Sequence, residues 1–167
     1  MPATGGLRLG VASIAVIVAF DQVVKSAVRA RLELHESMEI VPGFLDLTRV
    51  HNYGAAFGLL NAADFPLKTV LLVVIATLAL AALAWYGLTL PREQRLARAG
   101  LALIVAGAAG NLIDRVRFGY VVDFVDAYWG GWHFWAFNVA DAAITVGVSL
   151  MILDMLGIGR HRVSRAV

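Results

Sequence analysis

The sequence predicts an all-α polytopic membrane protein with four transmembrane helices and a small extramembrane β-sheet. Of its 167 residues, 60% are hydrophobic and 16% are charged, whereas soluble domains are nearer half apolar and about a quarter charged. The apolar excess is gathered into long runs, which indicates membrane helices rather than an enlarged soluble core. The length suits a single membrane domain that occupies residues 1–167.

Four segments approach the roughly 20 mostly apolar residues that a helix needs to cross a bilayer. They cover residues 9–28, 69–90, 97–113 and 136–157. The uninterrupted apolar part of the first segment runs from Leu9 to Phe20, and a stretch of this length also suits the core of a signal peptide. A cleaved signal peptide is therefore the alternative for this segment. Against it, Lys25 and Arg29 follow the apolar core, and no A-x-A cleavage site is visible.

Loop charges predict the orientation of the helices. With four spans, both termini and the 91–98 loop share one side, and that loop carries Arg92, Arg95 and Arg98. The other side holds as many Lys and Arg residues, but several of them lie inside candidate motifs rather than in plain loops. The short loop is the cleaner signal, so we expect it and both termini in the cytoplasm, with residues 29–66 and 114–135 outside.

The outward-facing segment 29–66 carries the predicted β-structure. Pro42-Gly43 lies between two partly apolar stretches, one that starts at Met38 and one that starts at Phe44. Pro followed by Gly suits the two central positions of a type II turn. The alternation of apolar and polar residues is imperfect. We expect a hairpin or small sheet that lies on the outer membrane face.

Composition and motifs exclude several classes of function. The chain has no cysteine, which excludes disulfides, thiolate metal sites and cysteine nucleophiles. A net charge of +2 with scattered Lys and Arg argues against a nucleic-acid partner. The four histidines show no paired metal-ligand spacing, and neither a G-x-S-x-G elbow nor a P-loop is present. We expect neither a metal nor a cofactor.

Two aspartates near the outer ends of the predicted helices are the strongest candidates for chemistry. Asp123 lies in an apolar stretch between Val122 and Phe124, and Asp141 begins the apolar run of the fourth span. Carboxylates so close to hydrocarbon are costly, and by default they indicate a function. Two carboxyl groups without a metal-ligand cluster indicate acid/base chemistry with water.

The surroundings of the two aspartates suggest different roles. Asn138 and Asp141 are spaced as in a capping box, so Asp141 is explained either as a helix cap or as a catalytic group. A helix N-terminus favours the ionised form of Asp141, whereas apolar neighbours allow Asp123 to hold a proton. If both share one site, their titration belongs to the pair and the two roles can be reversed.

Two further groups of residues can support such a site. Asp21 and Lys25 stand at i and i+4 with the acid first, next to Gln22, which predicts an ion pair within the first helix or support for a site on a neighbouring helix. Asn52 and Gly54 begin a small-residue stretch. This stretch fits a tight turn or, alternatively, a loop whose Asn52 hydrogen-bonds a peptide backbone.

The end of the third span carries a third group. Asn111 shares a helix face with Asp114 and another with Arg115, after a run of Gly and Ala that favours close helix packing. These polar residues either cap the helix end with an ion pair or hold a substrate carbonyl or a catalytic carboxylate.

Taken together, five ordered motifs resemble those of a known family. They are Asp21-Gln22-x-x-Lys25, Asn52-x-Gly54-Ala55-Ala56-Phe57, Gly110-Asn111-x-x-Asp114-Arg115, Val121-Val122-Asp123-Phe124 and Phe137-Asn138-x-Ala140-Asp141. The family they resemble is lipoprotein signal peptidase, also called signal peptidase II. Each motif is weak alone, but five in this order across four spans are specific, and the chain departs from none of them.

The resemblance implies a bacterial inner-membrane aspartyl endopeptidase that cleaves the signal peptide from a diacylglyceryl-modified prolipoprotein just before the lipidated cysteine, on the periplasmic side. It implies that Asp123 and Asp141 are the catalytic pair. It also implies polar support from Asn52, Asn111, Arg115 and Asn138, with Gly54 and Asp114 in the same motifs, whereas Asp21, Gln22 and Lys25 keep an uncertain or structural role. Membrane lipids and globomycin-type cyclic peptide inhibitors are further implied ligands of an expected monomer.

Two alternatives remain at this stage. A small proton- or cation-coupled membrane carrier uses the same residue type, but it places its carboxylates near the bilayer midplane. Asp123 and Asp141 instead fall near one predicted interface, and no span is broken at its middle. A membrane scaffold without enzymatic activity is the other alternative, and it would tolerate the loss of either aspartate.

Overall fold

Four helices and four short strands make up the part of the chain that the computed structural model describes, residues 5–54 and 65–158. They run in the order α1 (Gly5–Arg31), β1 (Ser37–Val41), β2 (Leu45–Asn52), α2 (Lys68–Thr89), α3 (Arg95–Phe118), β3 (Val121–Trp129), β4 (Trp132–His133) and α4 (Val139–Met155). The predicted combination of apolar helices with a small antiparallel sheet is confirmed.

The helices present apolar surface to their surroundings. Within the described residues, three stretches are helical, apolar and long enough to cross a bilayer, namely Gly10–Arg31, Lys68–Thr89 and Arg95–Phe118. At 17 residues, α4 is shorter than the roughly 20 residues that a perpendicular crossing needs. Large apolar side chains such as Val16, Leu78 and Met155 are exposed on these helices. Outward apolar faces of this kind suit helices that are surrounded by lipid.

Glycines set the spacing between α3 and α4. Gly100 and Gly147 face each other so closely that a Cβ atom added to either would lie 2.5 Å from the carbonyl oxygen of the other. Gly107 lies against the carbonyl oxygen of Ala140, in the first turn of α4. A larger side chain at these positions would push the helices apart, which confirms that the Gly/Ala pattern of α3 serves close packing.

Helix α3 continues past the predicted end of the third span. It runs to Phe118, and Gly119, with a φ of +81°, donates its N–H to the carbonyl oxygen of Arg115 and closes the last turn. Arg115 lies in this last turn, and its Nη1 donates to the carbonyl oxygen of Asn111 over 3.4 Å, which agrees with the alternative that Arg115 caps the helix end.

The sheet is antiparallel, in the strand order β1-β2-β3-β4. At the predicted turn, the N–H of Phe44 donates to the carbonyl oxygen of Val41 over 3.0 Å, and Gly43 takes a φ of +72°. The prediction confined β-structure to residues 29–66, but β3 and β4 come from the segment 114–135. Strand β2 pairs with β1 on one side and with β3 on the other. The pairing with β3, in which Val50 lies opposite Asp123, joins residues about 70 positions apart, and such non-local pairing leaves no local pattern.

Candidate active site

The N-terminus of α4 holds the first candidate carboxylate. Asn138 precedes the helix in an extended conformation, and its side-chain oxygen accepts the N–H of Asp141 over 3.0 Å. In return, Oδ2 of Asp141 accepts the backbone N–H of Asn138 over 3.2 Å. The predicted capping box is therefore confirmed. It fixes the Asp141 carboxylate at the helix end where free N–H groups favour an anion.

Strand β3 delivers the second carboxylate to the same place. Asp123 is 2% exposed, in a strand whose first four residues are all buried. Its Oδ1 accepts Nδ2 of Asn138 over 2.7 Å, and its Oδ2 accepts Nδ2 of Asn52 over 3.0 Å. Asn138 therefore contacts both aspartates and ties the start of α4 to the middle of the sheet.

Burial changes the acidity of Asp123. Removal from water raises the pKa of this carboxyl group from 3.8 to about 7, and the charge of the Asp141 carboxylate acts in the same direction. The hydrogen bonds from Asn52 and Asn138 and the charge of Lys25 lower the pKa, but they do not offset the burial. Asp123 can therefore exchange a proton near neutral pH, as the sequence analysis predicted from its apolar neighbours.

Gly54 connects Asn52 to Arg115. The side-chain oxygen of Asn52 accepts the N–H of Gly54 over 2.9 Å, which leaves the amide nitrogen of Asn52 directed at Asp123. The carbonyl oxygen of Gly54 accepts Nη2 of Arg115 over 2.7 Å. Residues 52–54 therefore turn against the site, and the hydrogen bond from Asn52 to a peptide backbone stays a prediction. The continuation of this stretch from Ala55 to Gly58 lies outside the described residues.

Asn111 links the site to a buried ionic cluster. Its Nδ2 donates to Oδ1 of Asp141 over 2.8 Å, and its Oδ1 accepts Nζ of Lys25 over 2.9 Å. The structure thus brings Asn111 to a candidate carboxylate, as one of its two predicted explanations required.

The predicted ion pair of α1 belongs to this cluster. Nζ of Lys25 lies 2.9 Å from Oδ2 of Asp21 and 3.2 Å from Oδ2 of Asp114, and all three side chains are at most 1% exposed. Gln22 donates to Oδ1 of Asp114 over 3.1 Å and to the carbonyl oxygen of Gly110 over 3.2 Å. The cluster joins α1 to α3 through three buried charged groups and the partly exposed amide of Gln22.

A cavity of about 610 Å³ opens beside the two aspartates. The polar side chains on its wall are those of Asp123, Asp141, Asn52, Asn111, Arg115 and Thr145. The remaining wall is apolar and comes from α2, α3, α4, Val121 of β3 and residues 134–137. Both carboxylates therefore face one space, in which a ligand with apolar groups can lie next to them.

Five of the eleven predicted site residues line this cavity, and Gly54 and Asn138 contact residues of its wall. Asp21, Gln22 and Lys25 lie behind the cavity wall, and Asp114 joins them rather than the cavity. The bridge that Asn138 makes to Asp123 was missed. No sequence signal could have found it, because the capping pattern of Asn138 concerns only its own helix. Among residues 5–54 and 65–158, no three His, Asp or Glu side chains are arranged to hold a metal ion.

Comparison with known proteins identifies the family. The model of the family described as signal peptidase (SPase) II matches residues 13–157. The lipoprotein signal peptidase of Geobacter metallireducens is 46% identical over 142 residues, which is 85% of this chain and 86% of that protein. That of Symbiobacterium thermophilum is 42% identical over 154 residues, or 92% of this chain and 97% of that protein.

A solved structure agrees with these relatives. A bacterial membrane enzyme determined by the in meso method at 2.3 Å resolution matches with a TM-score of 0.82 and 32% identity, over 95% of this chain and 94% of that one. The carrier alternative receives no support from any of these proteins. By its sequence and its fold, the chain belongs to the signal peptidase II family of aspartic-type membrane peptidases.

Proposed function

We propose that this protein is an aspartyl endopeptidase that cleaves diacylglyceryl-modified prolipoproteins just before the lipidated cysteine, with Asp123 and Asp141 as its catalytic pair. Its family membership supports cleavage of signal peptides from prolipoproteins in a bacterial membrane. The observation that carries the assignment of the pair is that both carboxyl groups contact Asn138 and face one cavity.

In the proposed first step, a water molecule between the two carboxyl groups attacks the carbonyl carbon of the scissile amide. Asp141 takes a proton from the water, and Asp123 gives its proton to the carbonyl oxygen. The location of Asp141 in the first turn of α4 supports its role as the ionised base. The raised pKa of Asp123, about 7, supports its role as the acid.

In the second step, the tetrahedral intermediate breaks down. The carbon–nitrogen bond breaks as Asp141 passes its proton to the leaving amine of the cysteine, and a hydroxyl proton returns to Asp123. Both groups then stand in their starting states, and the signal peptide leaves with a new carboxyl end. Arg115 faces the cavity and carries a positive charge, so it can stabilise the oxygen on which negative charge develops.

The apolar wall of the cavity fits the rest of the substrate. Residues of α2 and α4 line it beside the aspartates, and a signal peptide is itself an apolar segment. We propose that this segment lies in the cavity, while the acyl chains of the lipidated cysteine stay in the bilayer between helices. Cyclic peptides of the globomycin type would inhibit by occupying the same space.

The topology that we propose has four crossings in one membrane domain and a monomeric chain. The sheet and the aspartates lie on the periplasmic side, and both termini lie in the cytoplasm. Three helices of sufficient length support this arrangement, and so does the Arg-rich loop between α2 and α3. Trp132 and Trp135 come shortly before α4, and they support a location of its N-terminal end at the membrane–water interface.

A cleavage assay in detergent tests the proposed function. The purified protein is incubated with a prolipoprotein that carries diacylglycerol on its cysteine, and with the same prolipoprotein without the lipid. Mass spectrometry should show cleavage before the cysteine in the lipidated substrate alone, and EDTA should leave the rate unchanged. Equal cleavage of the unlipidated substrate would contradict the proposed substrate class, and strong inhibition by EDTA would contradict the two-aspartate mechanism.

A further inference from the structure

Lys25 is the centre of the buried ionic cluster behind the active site. Its side chain is 0% exposed, and its ammonium group has three donors. Three oxygen atoms receive them: Oδ2 of Asp21 at 2.9 Å, Oδ2 of Asp114 at 3.2 Å and Oδ1 of Asn111 at 2.9 Å. A buried charge is tolerated when it is paired and hydrogen-bonded in this way, so the geometry around Lys25 is fully specified.

The contact with Asn111 decides which way the amide of Asn111 points. The two ends of an amide have the same shape, but an ammonium group can only donate, so the oxygen end must face Lys25. The NH₂ end then faces Oδ1 of Asp141, which it reaches over 2.8 Å. The opposite orientation would place the NH₂ group against the ammonium and the oxygen against the carboxylate, which is unfavourable at both ends.

A second donor also reaches Asn111 but cannot replace Lys25. Nδ2 of Asn138 lies 3.2 Å from Oδ1 of Asn111, and the same nitrogen lies closer to Asp123, at 2.7 Å. A hydrogen bond from a charged donor is roughly twice as strong as one between neutral groups. The orientation of Asn111 is therefore set chiefly by Lys25.

The two acidic partners of Lys25 also reach the catalytic pair, through the backbone. Oδ1 of Asp21 accepts the N–H of Ala140 over 3.0 Å, and Ala140 directly precedes Asp141. Oδ2 of Asp114 accepts the N–H of Val122 over 3.1 Å, one residue before Asp123. The ammonium that holds Asp21 and Asp114 in place thus anchors the backbone next to both catalytic residues.

We infer that Lys25 is a positioning residue for peptide cleavage, because it orients the Asn111 amide that donates to Asp141. This inference rests on the proposed role of Asp141. Lys25 itself does not reach the cavity, so its loss should lower kcat and leave substrate binding, and hence KM, unchanged. A residue that served only the stability of the bundle would lower the unfolding temperature without this selective effect on kcat.

A double-mutant cycle tests this inference. Lys25→Met and Asn111→Ala are made singly and together, and kcat, KM and thermal unfolding are measured in detergent on the full chain. Because removal of Lys25 leaves two buried carboxylates facing each other, the cycle is repeated in an Asp21→Asn background, which removes one of those charges. Lys68→Met, which changes the only other lysine in the chain, is the matched control and should keep full activity.

Each single substitution should lower kcat by about tenfold or more, and Lys25→Met, which removes a side chain outside the cavity, should leave KM unchanged. The double variant should have a kcat little lower than that of either single variant, because both substitutions remove the same donor to Asp141. A folded Lys25→Met chain with full kcat would overturn the inference, and so would losses that multiply in the double variant. Asp141→Asn is measured alongside as a test of the proposed mechanism. If this variant loses activity while Lys25→Met keeps full kcat, the inference about Lys25 fails and the proposed mechanism stands.

Discussion

At the scale of single residues, the raised pKa of Asp123 predicts a pH dependence of the reaction. Burial and the neighbouring Asp141 raise this pKa to about 7, and the proposed acid works only while it holds its proton. We therefore expect kcat/KM to fall as the pH rises through about 7. A series of initial rates between pH 5 and 9 measures this, and a rate that stays constant up to pH 9 would contradict the role of Asp123 as the acid.

The same raised pKa predicts a pH dependence of stability. The folded chain keeps the Asp123 proton up to about pH 7, whereas an unfolded chain releases it near 3.8. The stabilisation is therefore complete below the lower value and is lost as the pH rises through the upper one. The unfolding temperature should be lower at pH 8 than at pH 5, and Asp123→Asn should reduce this difference. An unchanged difference in the variant would assign the pH effect to other groups.

Residue-scale prediction from the sequence succeeded where the determinant was local. The Asn138–Asp141 cap and the Asp21–Lys25 pair depend on spacings of three and four residues, and both are present. The contact from Lys25 to Asn111 joins residues 86 positions apart. Such a contact depends on how α1 packs on α3, which no local pattern encodes.

At the scale of elements, the close packing of α3 on α4 predicts the effect of a single added methyl group. Gly107→Ala would place a Cβ atom against the carbonyl oxygen of Ala140, next to Asp141. We expect a loss of about 1–3 kcal/mol in the free energy of unfolding, as for other overpacked sites. We also expect kcat to fall at least about tenfold, because small displacements of catalytic groups are costly.

Gly10→Ala is the matched control for this substitution. Gly10 lies in α1, and a Cβ atom added there meets nothing within 4 Å. Alanine is the better helix former, so this variant should be as stable as the parent or slightly more stable. Unfolding in detergent and the cleavage rate are measured for both variants, and equal behaviour of the two would show that α3 and α4 do not pack as described.

Element prediction was most accurate for the long helices and least accurate for β3. A helix that faces lipid must be apolar along its whole length, so the sequence carries a strong signal. Strand β3 is a short apolar run between α3 and α4, and its partner β2 lies in a distant segment. The central strand of the site, which carries Asp123, was therefore predicted as an outer loop.

At the scale of the whole molecule, the proposed topology predicts which surfaces a membrane-impermeant reagent reaches. The chain has no cysteine of its own, so single reporters can be introduced at the exposed positions 37 and 93. In spheroplasts, Ser37→Cys should react with an impermeant maleimide, whereas Glu93→Cys should react only after lysis. The reverse pattern would place the active site on the cytoplasmic side.

The central claim is that two carboxyl groups, brought together by Asn138, act on one water molecule. The most direct measurement compares cleavage of the lipidated prolipoprotein by Asp123→Asn, Asp141→Asn and Asp126→Asn, with thermal unfolding as the test of folding. Asp126 lies on the same strand as Asp123 but pairs with His133. We predict that both active-site variants fold and lose cleavage, while Asp126→Asn keeps it. Full activity in either active-site variant would contradict the claim.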